Sequence, residues 1–259
     1  LPSYQYVVSK PRGIHSETAL SKVTYLLYKD KKYEEALPLY QQLEEYAETP
    51  ANKLSGRVGA MRSAFTLNKF DVALDYAIKV LNTEKISPQQ TNEAKYDKAK
   101  SLYELKRYDD AMLEFKAIHK SAKNITGAEA LYLIAKIYYE KQDYTNVEKT
   151  INSLISYDYS NDDWNTRGLL LLSDAYLAKG DEADAELMLQ TVIDGKPKQE
   201  FIDEANAKLE KIKSMKALRS SLQQIPGAEM KVEFKEQNSD KDLFDQLYEQ
   251  KMDSLKNKQ

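Results

Sequence analysis

The sequence has no cysteine, only two histidines and few helix-breaking residues, with eight glycines and seven prolines among 259 residues. Without cysteine there is no disulfide, no thiolate metal site and no cysteine nucleophile. Two isolated histidines build neither a histidine-based catalytic triad nor a multi-histidine metal site. We therefore expect a protein that is not an enzyme and that holds no cofactor or metal.

Long apolar runs and an excess of one charge are also missing. No stretch has the apolar length of a transmembrane helix, and a formal net charge of -3 provides no general attraction for nucleic acid or for an anionic membrane. We expect no nucleic-acid partner and no direct membrane insertion. The chain opens with Leu-Pro-Ser rather than with Met. This start favours a processed protein or an excised fragment.

The chain is instead rich in charged residues (31%) and repeats itself. "EAKYDKAKSLYELKRYDDA", which starts at Glu93, returns 36 residues later as "EALYLIAKIYYEKQDYTNV", which starts at Glu129. A small residue, here called the anchor, opens the second half of each unit. The anchors are Ala36, Ala73, Ala111, Val147 and Ala185. Such a fixed period is typical of an array of helical repeats.

Each unit has the pattern of two helices joined by a short polar break. In the fourth unit, the apolar residues recur at helical spacing up to Tyr138, and a second apolar stripe begins at Val147. Ser87-Pro88-Gln89-Gln90 is the sequence of a capping box with proline at the first helical position. Neither helix buries its apolar face alone, so we expect each unit to stack on the next.

An aromatic residue stands three and eight positions before each of the first four anchors. Together with the paired-helix pattern, these positions resemble the tetratricopeptide repeat, most closely at "AYLAKGDEADAELMLQTVI" from Ala175. The periods are longer than the usual 34 residues, and the units resemble the degenerate repeats of bacterial cell-envelope assembly proteins. The resemblance implies an all-α, right-handed superhelical solenoid of about five repeats, and it favours the periplasm or cell envelope over the cytoplasm.

We divide the chain accordingly into four parts. Residues 1–15 are an N-terminal extension, 16–194 five repeats, 195–222 a capping helix, and 223–259 a linker with a C-terminal amphipathic helix. In tetratricopeptide repeats the first helix of each unit lines a concave groove. The resemblance places the following residues in that groove: Tyr25, Arg62, Glu93, Tyr96, Lys100, Tyr103, Glu104, Glu129, Tyr132, Lys136, Tyr139 and Glu140.

The groove residues have two interpretations from sequence alone. Tyrosines flanked by lysine and glutamate suit the binding of a peptide or protein segment. Lys100 with Glu104, and Lys136 with Glu140, are also i,i+4 pairs of the kind that decorate any solvated helix. We expect a non-catalytic scaffold that binds a partner protein in the groove. The alternatives are a spacer or oligomerisation module, and a regulatory appendage of a larger envelope-associated protein.

Overall fold

A computed structural model describes residues 6, 13 and 15–223 of the chain, with side chains up to residue 221. The described residues form eleven α-helices and no strand. The helices are α1 Ser16–Lys29, α2 Tyr33–Tyr46, α3 Pro50–Thr66, α4 Phe70–Leu81, α5 Pro88–Glu104, α6 Tyr108–Ser121, α7 Ile125–Glu140, α8 Tyr144–Ile155, α9 Asp162–Lys179, α10 Glu182–Asp194 and α11 Gln199–Gln223. The predicted C-terminal amphipathic helix lies outside the described residues.

Successive helices form pairs along the chain. The chain divides into two compact units between Asn161 and Asp162. In the first unit each helix packs on the next, and the first helices of successive pairs also touch, α1 with α3 and α3 with α5. This is the contact pattern of a helical-repeat array, in which each repeat meets only its neighbours. The all-α repeat fold expected from the sequence is confirmed.

The turn inside each pair follows one design. In each turn, the residue five positions before the anchor has a positive φ. Its backbone amide and that of the next residue donate to carbonyls in the last turn of the preceding helix, as in a Schellman motif. These residues are Lys31, Asn68, Lys106, Gln142 and Gly180. Four of the five turns therefore hold the left-handed conformation without glycine.

The anchors and the aromatic residues account for most of the packing within a pair. All five anchors are fully buried at 0% exposure, where the two helices approach. Aromatic rings eight and three positions before the anchors meet across the turn in each of the first four pairs. Their centroids are 5.2 Å apart for Tyr28 and Tyr33, 5.9 Å for Phe65 and Phe70, 5.7 Å for Tyr103 and Tyr108, and 5.8 Å for Tyr139 and Tyr144.

Two glycines let α3 approach α2 closely. A Cβ on Gly59 would lie 2.2 Å from Cε1 of Tyr40, and a Cβ on Gly56 would lie 2.6 Å from the backbone nitrogen of Glu44. Tyr40 is buried, so its ring occupies the space that a side chain at position 59 would need. The glycines of "SGRVGA" are thus required by packing between the first and second pairs.

Capping chemistry fixes where several first helices begin. The Ser87 hydroxyl accepts from the backbone amide of Gln90, and the Gln90 side chain accepts from the Ser87 amide, which confirms the predicted capping box. The Thr49 hydroxyl likewise accepts from the amide of Asn52. Proline follows each cap at the first helical position, where its missing N–H costs nothing.

In the second unit, α9 and α10 form the fifth pair, and α11 packs mainly on α10. Phe201 and Ala205 of α11 are buried in a cluster with Leu189. Further along α11, Lys216 pairs with Glu186 and Arg219 pairs with Glu182, both on α10. The helix therefore covers α10 with an apolar stripe and ion pairs, over the segment in which the sequence predicts a capping helix.

Candidate functional site

The predicted groove residues of the first unit lie on α1, α3, α5 and α7, and we call their shared surface the first-helix face. Its side chains bridge successive repeats rather than standing apart. Arg62 of α3 reaches Glu93 of α5, and Tyr96 of α5 reaches Glu129 of α7. The structure thus brings these positions of three consecutive repeats into contact with one another.

Lys100 and Lys136, the lysine pair, flank one aromatic ring. The Lys100 ammonium lies 5.7 Å from the centre of the Tyr103 ring, and the Lys136 ammonium lies 5.5 Å from the same point. Glu104 is 3.6 Å from Lys100, and the charges of Glu140 and Glu104 both act on Tyr103. The two repeats therefore place two cations and two carboxylates around a single tyrosine.

Tyr103 itself is a correction to the predicted groove. It is only 9% exposed and belongs to the core cluster with Ala111 and Phe115. Burial raises the pKa of its hydroxyl, and the Glu140 charge adds to that rise. Its ring packs on Tyr108 because the first helix must meet the second there. Tyr103 therefore supports the lysine pair from beneath and does not offer open groove surface.

Tyr96 is half-buried, and its hydroxyl donates to Oε1 of Glu129 at 2.5 Å. Burial is the main cause of the raised pKa of Tyr96, and the bond to Glu129 raises it further. The hydroxyl already has a partner, so this tyrosine links the third repeat to the fourth. Tyr132, at the same position of α7, is also half-buried and packs against the core cluster.

Three predicted residues keep substantial exposure. Glu104 and Glu140 are exposed at the ends of α5 and α7, and Tyr25 on α1 is 63% exposed. Tyr25 borders a shallow pocket of about 300 Å³, which is also lined by Tyr40 and Ser55. Tyr139 is half-buried, with its ring against Tyr144. The open aromatic surface of this face therefore lies at α1 and not on α5 or α7.

Arg62 is part of a cluster that spans three helices, here called the Arg62 cluster: Tyr28, Arg62, Glu93 and Asp97. The Arg62 guanidinium donates to both carboxylate oxygens of Glu93, at 2.6 Å from Nε and 2.5 Å from Nη2. This bidentate bond raises the pKa of Arg62. Glu93 was predicted as a groove residue, but its pairing with the preceding repeat is visible only in the structure.

Asp97 was not predicted, and it is the most unusual residue of the face. It is 7% exposed, and burial together with the Glu93 charge raises its pKa to about 7, against the lowering effect of Arg62. Its position, fourteen before the anchor, holds Leu133 and Leu171 in the fourth and fifth repeats. The first repeat has Lys22 at this position, so the repeat pattern of the sequence did not set Asp97 apart.

Other expected features concern metals and membranes. Among residues 15–223, no group of three or more histidine and carboxylate side chains is arranged to hold a metal ion. In the same part of the chain, no helix is long and apolar enough to cross a membrane. His119 packs its ring on Tyr157 at 5.0 Å, and its Nδ1 lies 3.1 Å from the carbonyl of Gly127.

Comparison with known families agrees with this architecture. A tetratricopeptide repeat model matches residues 59–125, which run from α3 to the start of α7. Residues 59–125 therefore match the tetratricopeptide repeat, and the described helix pairs on either side of them have the same paired-helix architecture. The matched residues contain the left-handed turns of two helix pairs, two buried anchors, and the Arg62–Glu93 link between repeats. The Arg62–Glu93 contact thus joins two helices within the matched tetratricopeptide repeat segment.

Several solved structures share the tetratricopeptide repeat fold. YrrB, a tetratricopeptide repeat protein with an unusual peptide-binding site, matches with a TM-score of 0.53 at 16% identity, over 79% of this chain and 98% of YrrB. Residues 41 to the end of MamA from Desulfovibrio magneticus RS-1 match with a TM-score of 0.54 at 17% identity, over 71% and 96% of the two chains. A second MamA structure gives 0.54 at 14%, over 70% and 91%. No curated protein matches the sequence.

Proposed function

We propose that this protein is a non-catalytic scaffold that binds a peptide or protein segment along the first-helix face of α1, α3, α5 and α7. The main support for this proposal is that charged and aromatic side chains from successive repeats lie together on this face. It offers the exposed Tyr25 beside a pocket, the Arg62 cluster, and the lysine pair over the Tyr103 ring. Repeat arrays present such extended surfaces to their ligands.

The composition of the face suits recognition rather than catalysis. Tyrosine supplies apolar contact area with a polar tip, while lysine and glutamate at its edge give specificity and salt dependence. The pocket of about 300 Å³ between α1 and α3 is large enough for one side chain of a bound segment. The peptide-binding site of YrrB, which has the same fold, also favours this function.

Site-specific photocrosslinking in cells tests the proposal. A photoreactive phenylalanine at Tyr25 probes the first-helix face, and the same group at Leu113, which is 68% exposed on the second helix α6, is the matched control. We expect a dominant adduct with one partner from Tyr25 and none from Leu113. Because the sequence favours the cell envelope, envelope and soluble fractions are examined separately.

Variants then test the residues of the face with the identified partner. Lys100→Ala with Lys136→Ala should weaken binding roughly tenfold or more, mainly through the on-rate and at low salt. The matched control is Lys116→Ala with Lys120→Ala, two exposed lysines of α6. Equal loss in both double variants, or a dominant adduct from Leu113, would contradict the proposal. If the Tyr25 adduct is a second copy of this chain, the oligomerisation alternative replaces it.

A further inference from the structure

The Arg62 cluster holds one more negative charge than positive charge when both of its carboxyls are ionised. Arg62 is its single cation, and the guanidinium makes two hydrogen bonds to Glu93. The charges of Glu93 and Arg62 act on the pKa of Asp97 in opposite directions. No hydrogen bond or ion pair joins the Asp97 carboxyl to any described side chain or amide. The second carboxyl of the cluster is therefore left without a partner.

An unpaired carboxylate in this position is costly. Asp97 is more than nine-tenths buried. Buried charges in proteins are normally paired and hydrogen-bonded, and a group without such partners neutralises by taking up a proton. The fourth and fifth repeats use leucine at this position, so the fold does not require an acid there. A binding role explains why an acidic residue occupies a core position on the face proposed for ligand binding.

We propose that the Arg62 cluster is the subsite for one cationic side chain, a lysine or an arginine, of the segment bound on the first-helix face. This inference rests on the proposed function and specifies the chemistry of its partner. The incoming ammonium or guanidinium pairs with Asp97 and makes the cluster neutral. Glu93, one helical turn before Asp97 on α5 and bonded to Arg62 of α3, lies beside the subsite.

The neighbouring surfaces determine what else the segment carries. The pocket beside Tyr25 is lined by Tyr40, whose ring also contacts Tyr28 at 6.3 Å, so it adjoins the cluster on the α1 side. On the α7 side lies the lysine pair, which attracts an acidic side chain. The face therefore favours a segment in which a basic residue precedes or follows an acidic one, with an apolar or aromatic residue on the far side of the basic residue.

Proton exchange at Asp97 provides a direct signal of occupancy. Because the pKa of Asp97 is about 7 in the free protein, the carboxyl is largely protonated below neutral pH. A cation bound beside it favours the charged form and expels the proton. Binding through this subsite must therefore lower the pKa of Asp97, whereas binding elsewhere on the face leaves it unchanged.

The experiment uses the whole chain and two small probes. N-acetyl-lysine N-methylamide carries the cation, and N-acetyl-norleucine N-methylamide has the same chain without it. The Asp97 carboxyl carbon is followed by NMR across the pH range at constant ionic strength. We expect the lysine probe to lower the proton affinity of Asp97 roughly threefold or more and the norleucine probe to leave it unchanged. No effect of the lysine probe, or equal effects of the two, overturns the subsite.

Variants separate this inference from the proposed function. Asp97→Asn and Asp97→Leu should each weaken binding of the lysine probe at least roughly fivefold, and the leucine variant matches the fourth and fifth repeats and so keeps the fold. If the partner crosslinked through Tyr25 binds both variants as tightly as the natural protein, the subsite is refuted and the proposed function stands. If no partner crosslinks through Tyr25 at all, the proposed function itself fails.

Discussion

Ser63 and Ser101 give a stability prediction that depends on the repeat register. Both occupy the position ten residues before an anchor, in α3 and α5, and both are fully buried. Neither hydroxyl has a hydrogen-bond partner. Leaving such a group unsatisfied costs about 1–3 kcal/mol, and alanine is favoured over serine in a helix by roughly 0.5 kcal/mol. We expect each Ser→Ala change to raise the free energy of unfolding by about 1–2 kcal/mol.

The double variant tests this most clearly. With both changes, the gain of about 2 kcal/mol or more should raise the Tm by roughly 4–8 °C for a protein of this size. Urea unfolding followed by circular dichroism, together with calorimetry, measures both quantities. Ser153→Ala is the control, because Ser153 is exposed on α8 and its hydroxyl donates to the Lys149 carbonyl. Destabilisation by Ser63→Ala or Ser101→Ala, or a gain no larger than that of the control, would refute the reasoning.

Three further predictions concern the packing and the charge of the first unit. Gly59→Ala should destabilise by about 1–3 kcal/mol in urea unfolding, because the new Cβ would overlap the Tyr40 ring. Ala111→Leu should cost a similar amount at its fully buried site, whereas Asp109→Leu at an exposed site should change stability by less than about 0.5 kcal/mol. Asp97 has a raised pKa in the folded chain, so its contribution to stability falls as pH rises from about 4 to about 7. Asp97→Asn should remove this fall and stabilise the protein above neutral pH, as measured by unfolding at several pH values.

The fold was predictable from sequence because its determinants recur. Buried anchors and paired rings appear at the same positions in several repeats, so several repeats independently indicate the same helical register. Caps at Thr49 and Ser87 carry local chemistry that does not depend on the rest of the chain. Each of these signals lies within one helix pair, where sequence distance and spatial distance agree.

The candidate site was only partly predictable. The repeat register of the sequence assigned residues to the first-helix face, but it did not show which of them form hydrogen bonds or ion pairs with one another. Tyr96 and Glu129 are 33 residues apart, and their bond depends on how two repeats are rotated against each other. Tyr103 was also assigned to the groove by its sequence position, but a shift of one position along the helix is enough to move a side chain from the surface to the core. The packing role of Gly59 depends on Tyr40, which lies on another helix, so the sequence did not predict it.

The connections between helices have a practical consequence for engineering. Within each of the first four pairs, the link is three residues long and closes through the left-handed turn, so an inserted residue would rotate the second helix away from its anchor. Between pairs, the links vary in length, and residues 82–87 form one of the longer ones. An affinity tag, a fluorophore or a new chain terminus is therefore best placed at 84–85, away from the Ser87 cap, and lengthening of any turn within a pair should be avoided.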